Sequence, residues 1–329
     1  MSYAIFSAIE SGLIYAIMAL GVYLSFRILD FPDLTVDGSF VTGAAIAAIS
    51  IIAGFPPLIA SLFGFLAGFL AGMITGIIHT KGKINALLSG ILMMIALYSI
   101  NLRIMGQPNV PLRNQENLFA QFGQVVESLG INQALYSFFG LFGLSEVQLP
   151  RTWAIIIFMI IVIILIKFAM DYFLKTEIGL ALRATGNNQK MIRSLSANTD
   201  WLIIFGLGIS NGLVALSGSL IAQHGGFADA GMGVGLIIIG LASVIIGEAL
   251  FGTKTIFRAT LAIIGGAIVY RIVVTLALRV DFLEAGDVRL ITAILVIAAL
   301  VTPKMIHTHR EKKRKRQKRL EQNEVKGHA

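Results

Sequence analysis

The sequence predicts an all-α integral membrane protein of about nine transmembrane helices in two inverted repeats, with the N-terminus outside and the C-terminus cytoplasmic. Three observations carry that expectation. Of 329 residues, 56% are hydrophobic and 13% charged, against roughly a quarter charged in a soluble domain. Lysines and arginines fall between the apolar runs in a pattern that one orientation satisfies. Two unusual segments, "FPDLTVDGSF" and "FADAGMGVGL", recur at corresponding places in the two halves of the chain.

A spanning helix needs about 20 mostly apolar residues. Such runs lie at 6–28, 36–54, 57–79, 86–105, 152–174, 201–223, 233–251, 256–279 and 288–303. The first reads as a true span, because no basic leader precedes it as in a cleavable signal. Most of the net charge of +8 sits in the tail, where Arg310 to Arg319 reads REKKRKRQKR. A basic stretch after the last apolar run belongs in the cytoplasm against anionic lipid, not on nucleic acid. Counting back from it, Lys254 and Arg258 fall inside, as do Lys175, Arg183, Lys190, Arg193, Lys81 and Lys83. The loops 106–151, 224–232 and 280–288 fall outside, the last with Asp281, Glu284 and Asp287. An even number of spans would put a lysine-bearing loop on the wrong side.

The expected organisation is a transmembrane domain over 1–303 and a basic cytoplasmic tail over 304–329. Within the domain, repeat one covers 6–105, an external segment 106–151, a linking helix 152–174, a cytoplasmic segment 175–200 and repeat two 201–303. The external segment is long for a structureless loop. Its amphipathic stretch "NLFAQFGQVVESLGINQALYSFFGLFG" predicts one or two short helices on the outer membrane surface.

Phe31 and Phe227 each begin an F-x-D that leads into a glycine-bearing apolar run, 196 positions apart. At the same offset Gly12 matches Gly208, Ala16 matches Gly212, Ala19 matches Ala215 and Asp33 matches Asp229. Nine spans place the two segments at opposite ends of the bundle, as an inverted repeat requires. Pro32 lacks a donor and disfavours helix before it. Asp33 and Asp37 are costly in lipid unless they face protein or water. Asp30 to Ser39 therefore reads as a helix break lining a pathway, with Asp33, Thr35, Asp37, Ser39, Asp229 and Met232 as its candidate residues. The competing reading is an ordinary cytoplasmic turn in which Asp33 or Thr35 caps the next helix.

Gly64, Gly68 and Gly72 form a small-residue seam for close helix packing. Glu10, Glu248 and Arg271 lie inside spans. Buried ion pairing is their simplest account, and the sequence names no partner for Arg271. No cysteine is present, which excludes disulfides, thiolate metal sites and a cysteine nucleophile. The five histidines are scattered without ligand spacing. No phosphate-binding G-x-x-x-x-G-K-[ST] occurs. No catalytic, metal or cofactor residue is expected.

The segment 175–200 holds "EIGLALRAT", a short helix with Ile178, Leu182 and later Met191 on one side. Gly186, Asn187 and Asn188 turn it, and Gln189–Leu195 forms a second short helix. An exposed apolar helix flanked by Arg183 and Arg193 suggests a docking surface for a protein partner. A helix lying flat on the inner leaflet is the alternative.

G-x-A-x-R-A over residues 179–184, followed by N-T-D at Asn198 to Asp200, resembles the coupling segment of the branched-chain amino-acid permease family of ABC importers. That family includes ribose-type sugar permeases. "FPDLTVDGSFVTGAA" and "GMGVGLIIIGLASVIIGEALFG" resemble its two glycine-bearing helices. The D-x-T-V-D-G and A-D-x-G-M-G variants look closest to the tryptophan and tyrosine permeases. The resemblance covers roughly residues 8–303 and rests on the order of the motifs. The basic tail and the external segment over 112–150 depart from the family pattern.

The resemblance implies a transport subunit with no ATPase site, ATP being bound by a cytoplasmic ATP-binding cassette partner. It also implies a second permease subunit, most simply an identical copy, and an external solute-binding lipoprotein. Ile178, Leu182, Arg183, Gly186, Met191 and Arg193 would dock the ATPase, and the breaks around Asp33 and Asp229 would gate the path. An ion-coupled secondary transporter or channel also fits inverted repeats and broken helices.

Overall fold

The computed structural model describes residues 2–113, 115–140, 149–150, 152–194 and 197–278, with isolated positions between 290 and 297. In chain order these form α1 (Ser2–Tyr23, continued by a π-helical turn over Leu24–Ile28), α2 (Thr35–Ile52), α3 (Pro57–Thr80), α4 (Ala86–Met105) and β1 (Asn109–Pro111). Then come α5 (Leu118–Ser128), α6 (Ile131–Gly140), α7 (Ala154–Phe173), α8 (Glu177–Asn187), α9 (Gln189–Ser194), α10 (Thr199–Gly225), β2 (Phe227–Asp229), α11 (Leu236–Phe251) and α12 (Ile256–Ala277). Among the described residues, seven helices are long and apolar enough to cross a membrane: α1 with its π turn, α2, α3, α4, α7, α10 and α12. The protein is a multi-pass, predominantly helical membrane protein.

One expectation needs correction, one gains a small addition, and others fall outside the described residues. The helix expected from residue 233 begins only at Leu236 and runs 16 residues, about 24 Å at 1.5 Å per residue. That is short of a hydrocarbon layer of roughly 30 Å. Gly231, Gly233 and Gly235 delay it. Gly235 has φ +84, and a Cβ at Gly233 would collide with the backbone carbonyl of Asp37. The all-α expectation holds apart from one short strand pairing. β1 pairs antiparallel with β2, Val110 opposite Ala228, and three residues are too few for an alternating pattern to be legible. The acidic segment 280–288 and the tail lie outside the described residues, as does the span at 288–303 apart from the isolated positions.

The expected helices in the long segment are present as α5 and α6. Asn117 starts α5 by accepting a hydrogen bond from the Ala120 amide at 2.8 Å, a side-chain cap.

Helix α10 is the centre of the bundle and packs against α1, α2 and α3. The approach is backbone to backbone. A Cβ at Gly64, Gly68 or Gly72 would collide with Ser219, Ala215 or the Leu207 carbonyl of α10. Gly43 of α2 meets Ala215, and Gly218 of α10 meets the Phe40 carbonyl. Lipid supplies no hydrophobic drive between helices, so such contacts and the hydrogen bonds they permit hold the bundle. Ser210, Ser217 and Ser219 donate to the carbonyls of Gly21, Ile14 and Gly43 at 2.7, 2.8 and 2.9 Å. On the other flank α12 packs on α1 and α11.

Two ion pairs tie the periphery down. Glu248 of α11 meets Arg27, whose Nε donates at 3.0 Å; the pair forms with Arg27 exposed, where buried pairing was expected. Lys167 and Asp171 pair at 2.6 Å, both buried, and Asp171 also accepts from Thr260 of α12 at 2.7 Å. Lys167 Nζ lies 3.5 Å from the centre of the Phe257 ring. Together these contacts pin α7 to α12.

Gly68→Val should lower stability by about 3 kcal/mol or more, the upper range for overpacking, because α3 and α10 must separate. Gly123→Ala, with its nearest neighbouring atom at 4.0 Å, should leave stability equal or slightly raised. Thermal melting of the purified chain in detergent distinguishes the two.

Candidate functional site

The first helix break begins where α1 loosens into its π turn. Leu29 and Phe31 donate back to the carbonyls of Leu24 and Ser25 at 3.0 and 2.9 Å. Asp30 takes φ +52, a conformation that aspartate tolerates better than most residues. Pro32 then keeps the chain extended. The side chains alternate: Leu29, Phe31 and Asp33 are buried, whereas Asp30 and Pro32 are exposed.

Asp33 is fully enclosed. One carboxylate oxygen accepts from the Thr35 amide at 2.9 Å, the other from Asn211 Nδ2 at 2.6 Å. Asn211 in turn accepts from Ser39 Oγ at 2.7 Å. Thr35 and Thr75 share a hydroxyl hydrogen bond at 2.8 Å. The turn reading was right that Asp33 serves the start of α2, yet this turn is no surface loop. Asn211 lies 12 residues into α10, about 18 Å from its first residue, and Asp33 reaches it inside the bundle.

The second break follows β2. Its free amides are met from the first break: Asp37 accepts from the Gly235 amide and from the Ile237 amide, both at 2.8 Å. The carboxylate of one half of the chain thus caps the short helix of the other. An anion at a helix N-terminus satisfies orphan donors and opposes the helix dipole. Asp37 and Met232 are half-buried, and Met232 packs against the cluster that contains Phe40.

Asp229 takes no part in that joint. It sits in β2, accepting from Asn109 Nδ2 at 3.3 Å and from the Gly231 amide at 2.8 Å. The two breaks meet through Asp37, and no hydrogen bond links the matched aspartates Asp33 and Asp229.

The segment between α7 and α10 forms the two short helices α8 and α9. Thr176 caps α8, accepting from the Gly179 amide at 3.3 Å. The expected docking residues divide into two sets. Leu182 is fully buried, and a Cβ at Gly206 would meet both Leu182 and Leu29. Gly186 lies against the Ile28 carbonyl so closely that a Cβ there would collide. Both key the segment into the end of α1, and Leu182 is unavailable to a partner, which corrects the reading of Ile178, Leu182 and Met191 as one exposed row. Ile178 and Met191 are exposed, together with Leu180.

Arg193 is engaged within the chain, donating to Thr199 at 2.8 Å and to Asp200 at 2.9 Å. Clefts flank the segment. One of about 470 Å³ is lined by Arg27, Ile28, Leu180 and Arg183. Another of about 540 Å³ is lined by His79, Lys83, Gln189, Arg193 and Asp200.

Sequence reasoning missed Asn211, the hub between Asp33 and Ser39. An amide in the middle of a spanning run was itself a signal. It also missed Lys167 and Asp171, four apart in the most apolar helix.

The family model described as "Branched-chain amino acid transport system / permease component" matches residues 4–300. A tyrosine transport system permease protein of Clostridioides difficile (strain R20291) is 41% identical over 299 residues, which is 91% of this chain and 90% of the relative. An uncharacterized protein of Rickettsia prowazekii (strain Madrid E) is 35% identical over 245 residues, 74% of this chain and 77% of that one. No solved structure matches.

Asp37→Ala strands the Gly235 and Ile237 amides and should cost about 1–2 kcal/mol, the usual loss of a helix cap. The sequence contains no cysteine, so a single cysteine at Val234 reports on the joint. Its rate of modification by a water-soluble maleimide should rise severalfold when Asp37→Ala is added; an unchanged rate means that the joint does not depend on the carboxylate.

Proposed function

The chain belongs to the branched-chain amino acid transport system permease family, and from that premise we propose that it is the membrane subunit of an ATP-driven amino-acid importer. Kinship with a tyrosine permease favours an aromatic amino acid. The observation that carries the mechanism is the keying of α8 into the first helix break through Leu182, Leu29 and Gly186. A push on α8 reaches the turn that carries Asp33 without crossing any flexible linker.

In this reading a cytoplasmic ATP-binding cassette subunit docks on Ile178, Leu180, Arg183 and Met191, with the flanking clefts receiving its surface. Two copies of the chain form the pore in the cell membrane, and an external solute-binding lipoprotein delivers the amino acid. Nucleotide binding and hydrolysis bias two states of the bundle. The half-buried joint at Asp37, Met232 and Gly235 opens and closes the path, while Asp33, Thr35 and Ser39 hold the hinge beneath it. Asp229 positions the outer turn through Asn109.

Nine spans in inverted halves suit this scheme, with the N-terminus outside and the tail in the cytoplasm. The packing supports the inversion. α1 pairs with α12 as α10 pairs with α3, and α11 lies on α12 as α2 lies on α3. Gly12 meets Ile268, and 196 positions on, Gly208 meets Met73.

Ile178→Glu combined with Met191→Glu should reduce co-purification of the ATP-binding subunit about tenfold or more, as loss of apolar anchors at an interface does, with the melting temperature of the chain unchanged. Equal co-purification would remove the docking role. Uptake by the chain alone, driven by an ion gradient in vesicles, would overturn the importer reading itself.

A further inference from the structure

Most charged side chains within the described bundle have partners: Arg27 with Glu248, Lys167 with Asp171, Asp33 with Asn211 and Asp37 with the start of α11. Arg271 has none. It lies 15 residues into α12, about 22 Å from the start of that helix. Its Nε is buried without a hydrogen-bond partner, and it joins no ion pair among the described residues. Its guanidinium rests over the face of Tyr15, 4.6 Å from the ring centre. A cation–π contact does not satisfy the N–H donors of a guanidinium, and the buried Nε stays without an acceptor. A cation kept inside a membrane-crossing helix at such cost marks a place where an anion arrives.

The surroundings describe that anion. Gly12 lets α1 and α12 close up, so that Arg271 is held beside α1. Tyr15 lies parallel to Phe40, with centroids 6.1 Å apart and planes 2° apart. Phe40 is three residues along α2 from Asp37, the residue that caps α11. Cation, aromatic pair and the joint between the two breaks therefore form one contiguous set across α12, α1, α2 and α11.

We propose that Arg271 receives the α-carboxylate of the transported amino acid, with Tyr15 and Phe40 as the aromatic wall beside it. A guanidinium takes a carboxylate through two parallel N–H···O bonds, which a lysine at the same place cannot reproduce. Binding there would set the ligand against the aromatic pair that leads along α2 to the Asp37 joint, which links recognition to opening. This inference rests on the amino-acid permease reading and goes beyond it by naming the residue that reads the carboxylate.

The test is the melting temperature of the purified chain with millimolar L-tyrosine, its deaminated acid, tyramine or inorganic phosphate. The two carboxylates should raise it in the wild type, and tyramine, which lacks the carboxylate, should not. Arg271→Gln should abolish the shift, and Arg271→Lys should retain part of it. In vesicles holding the full complex, Arg271→Gln should raise KM for L-tyrosine about tenfold or more, the range for a lost charged hydrogen bond.

A shift with tyramine equal to that with tyrosine overturns the proposal, as does an undiminished shift in Arg271→Gln or no shift with any carboxylate in the wild type. An equal shift with inorganic phosphate also overturns it, in favour of a lipid-phosphate contact. If Arg271→Gln does not fold, the wild-type comparison of tyrosine with tyramine decides alone. ATP-driven uptake that is normal in the wild type and equal in Arg271→Gln sinks this inference and leaves the importer reading standing; absence of amino-acid uptake in the wild type sinks the reading.

Discussion

Backbone amides freed by a helix break inside a membrane bundle must find acceptors within the protein, because lipid offers none. The two carboxylate contacts from Asp37 to the Gly235 and Ile237 amides meet that requirement for α11. Asp33 meets it for α2 through the Thr35 amide. Each break is satisfied by residues of "FPDLTVDGSF", so this segment organises both. A short helix of 16 residues can begin within the bundle only because an anion from elsewhere in the chain waits at its start.

The small residues make those contacts geometrically possible. Gly43, Gly68 and Gly218 bring α2, α3 and α10 within backbone distance. At that range serine hydroxyls reach carbonyls on neighbouring helices, and Asn211 reaches Asp33 and Ser39. A file of buried polar side chains continues along α10 through Ser219 to Gln223, which donates to Ser61 at 2.7 Å and accepts from the Leu118 amide at 3.1 Å. The file is buried along its length. It is a structural seam, and under the proposed function the path opens on the other side of α2, where Asp37 lies with Tyr15 of α1 and Met232.

Most of the spans, the paired short helices in 106–151 and the glycine seam were legible in the sequence, because hydropathy and small-residue spacing are local and repeat many times. The delayed start of α11 was not. Glycine is neutral in a hydropathy window, so "GMGVG" reads as continuous span, whereas its φ values and its pressure on Asp37 are properties of the fold. The candidate site was half legible. Pro32 and the aspartates marked the break, but Asp33 and Asp229 were matched by sequence position when the actual bond partner of the second break is Asp37. Leu182 and Gly186 were read as surface because an amphipathic helix does not say which neighbour covers it. Their contacts are with Leu29 and Ile28, some 150 residues earlier in the chain.

That misreading matters for the mechanism. Had Leu182 faced the cytoplasm, α8 would be a handle attached to the bundle only by its ends. With Leu182 and Gly186 locked against the turn after α1, the exposed face of α8 and the buried turn move as one body. The turn in turn carries Asp33, two residues from the start of α2, and α2 carries Asp37. Three rigid contacts thus separate the proposed docking surface from the cap on α11, each between elements too closely packed to deform gradually. A displacement at α8 must therefore be accommodated at the least enclosed link, the pair of hydrogen bonds at Asp37. Those bonds are also the ones a shift of α2 relative to α11 would break first, because the contacts of Asp33, Ser39 and Thr35 travel with α10 and α3.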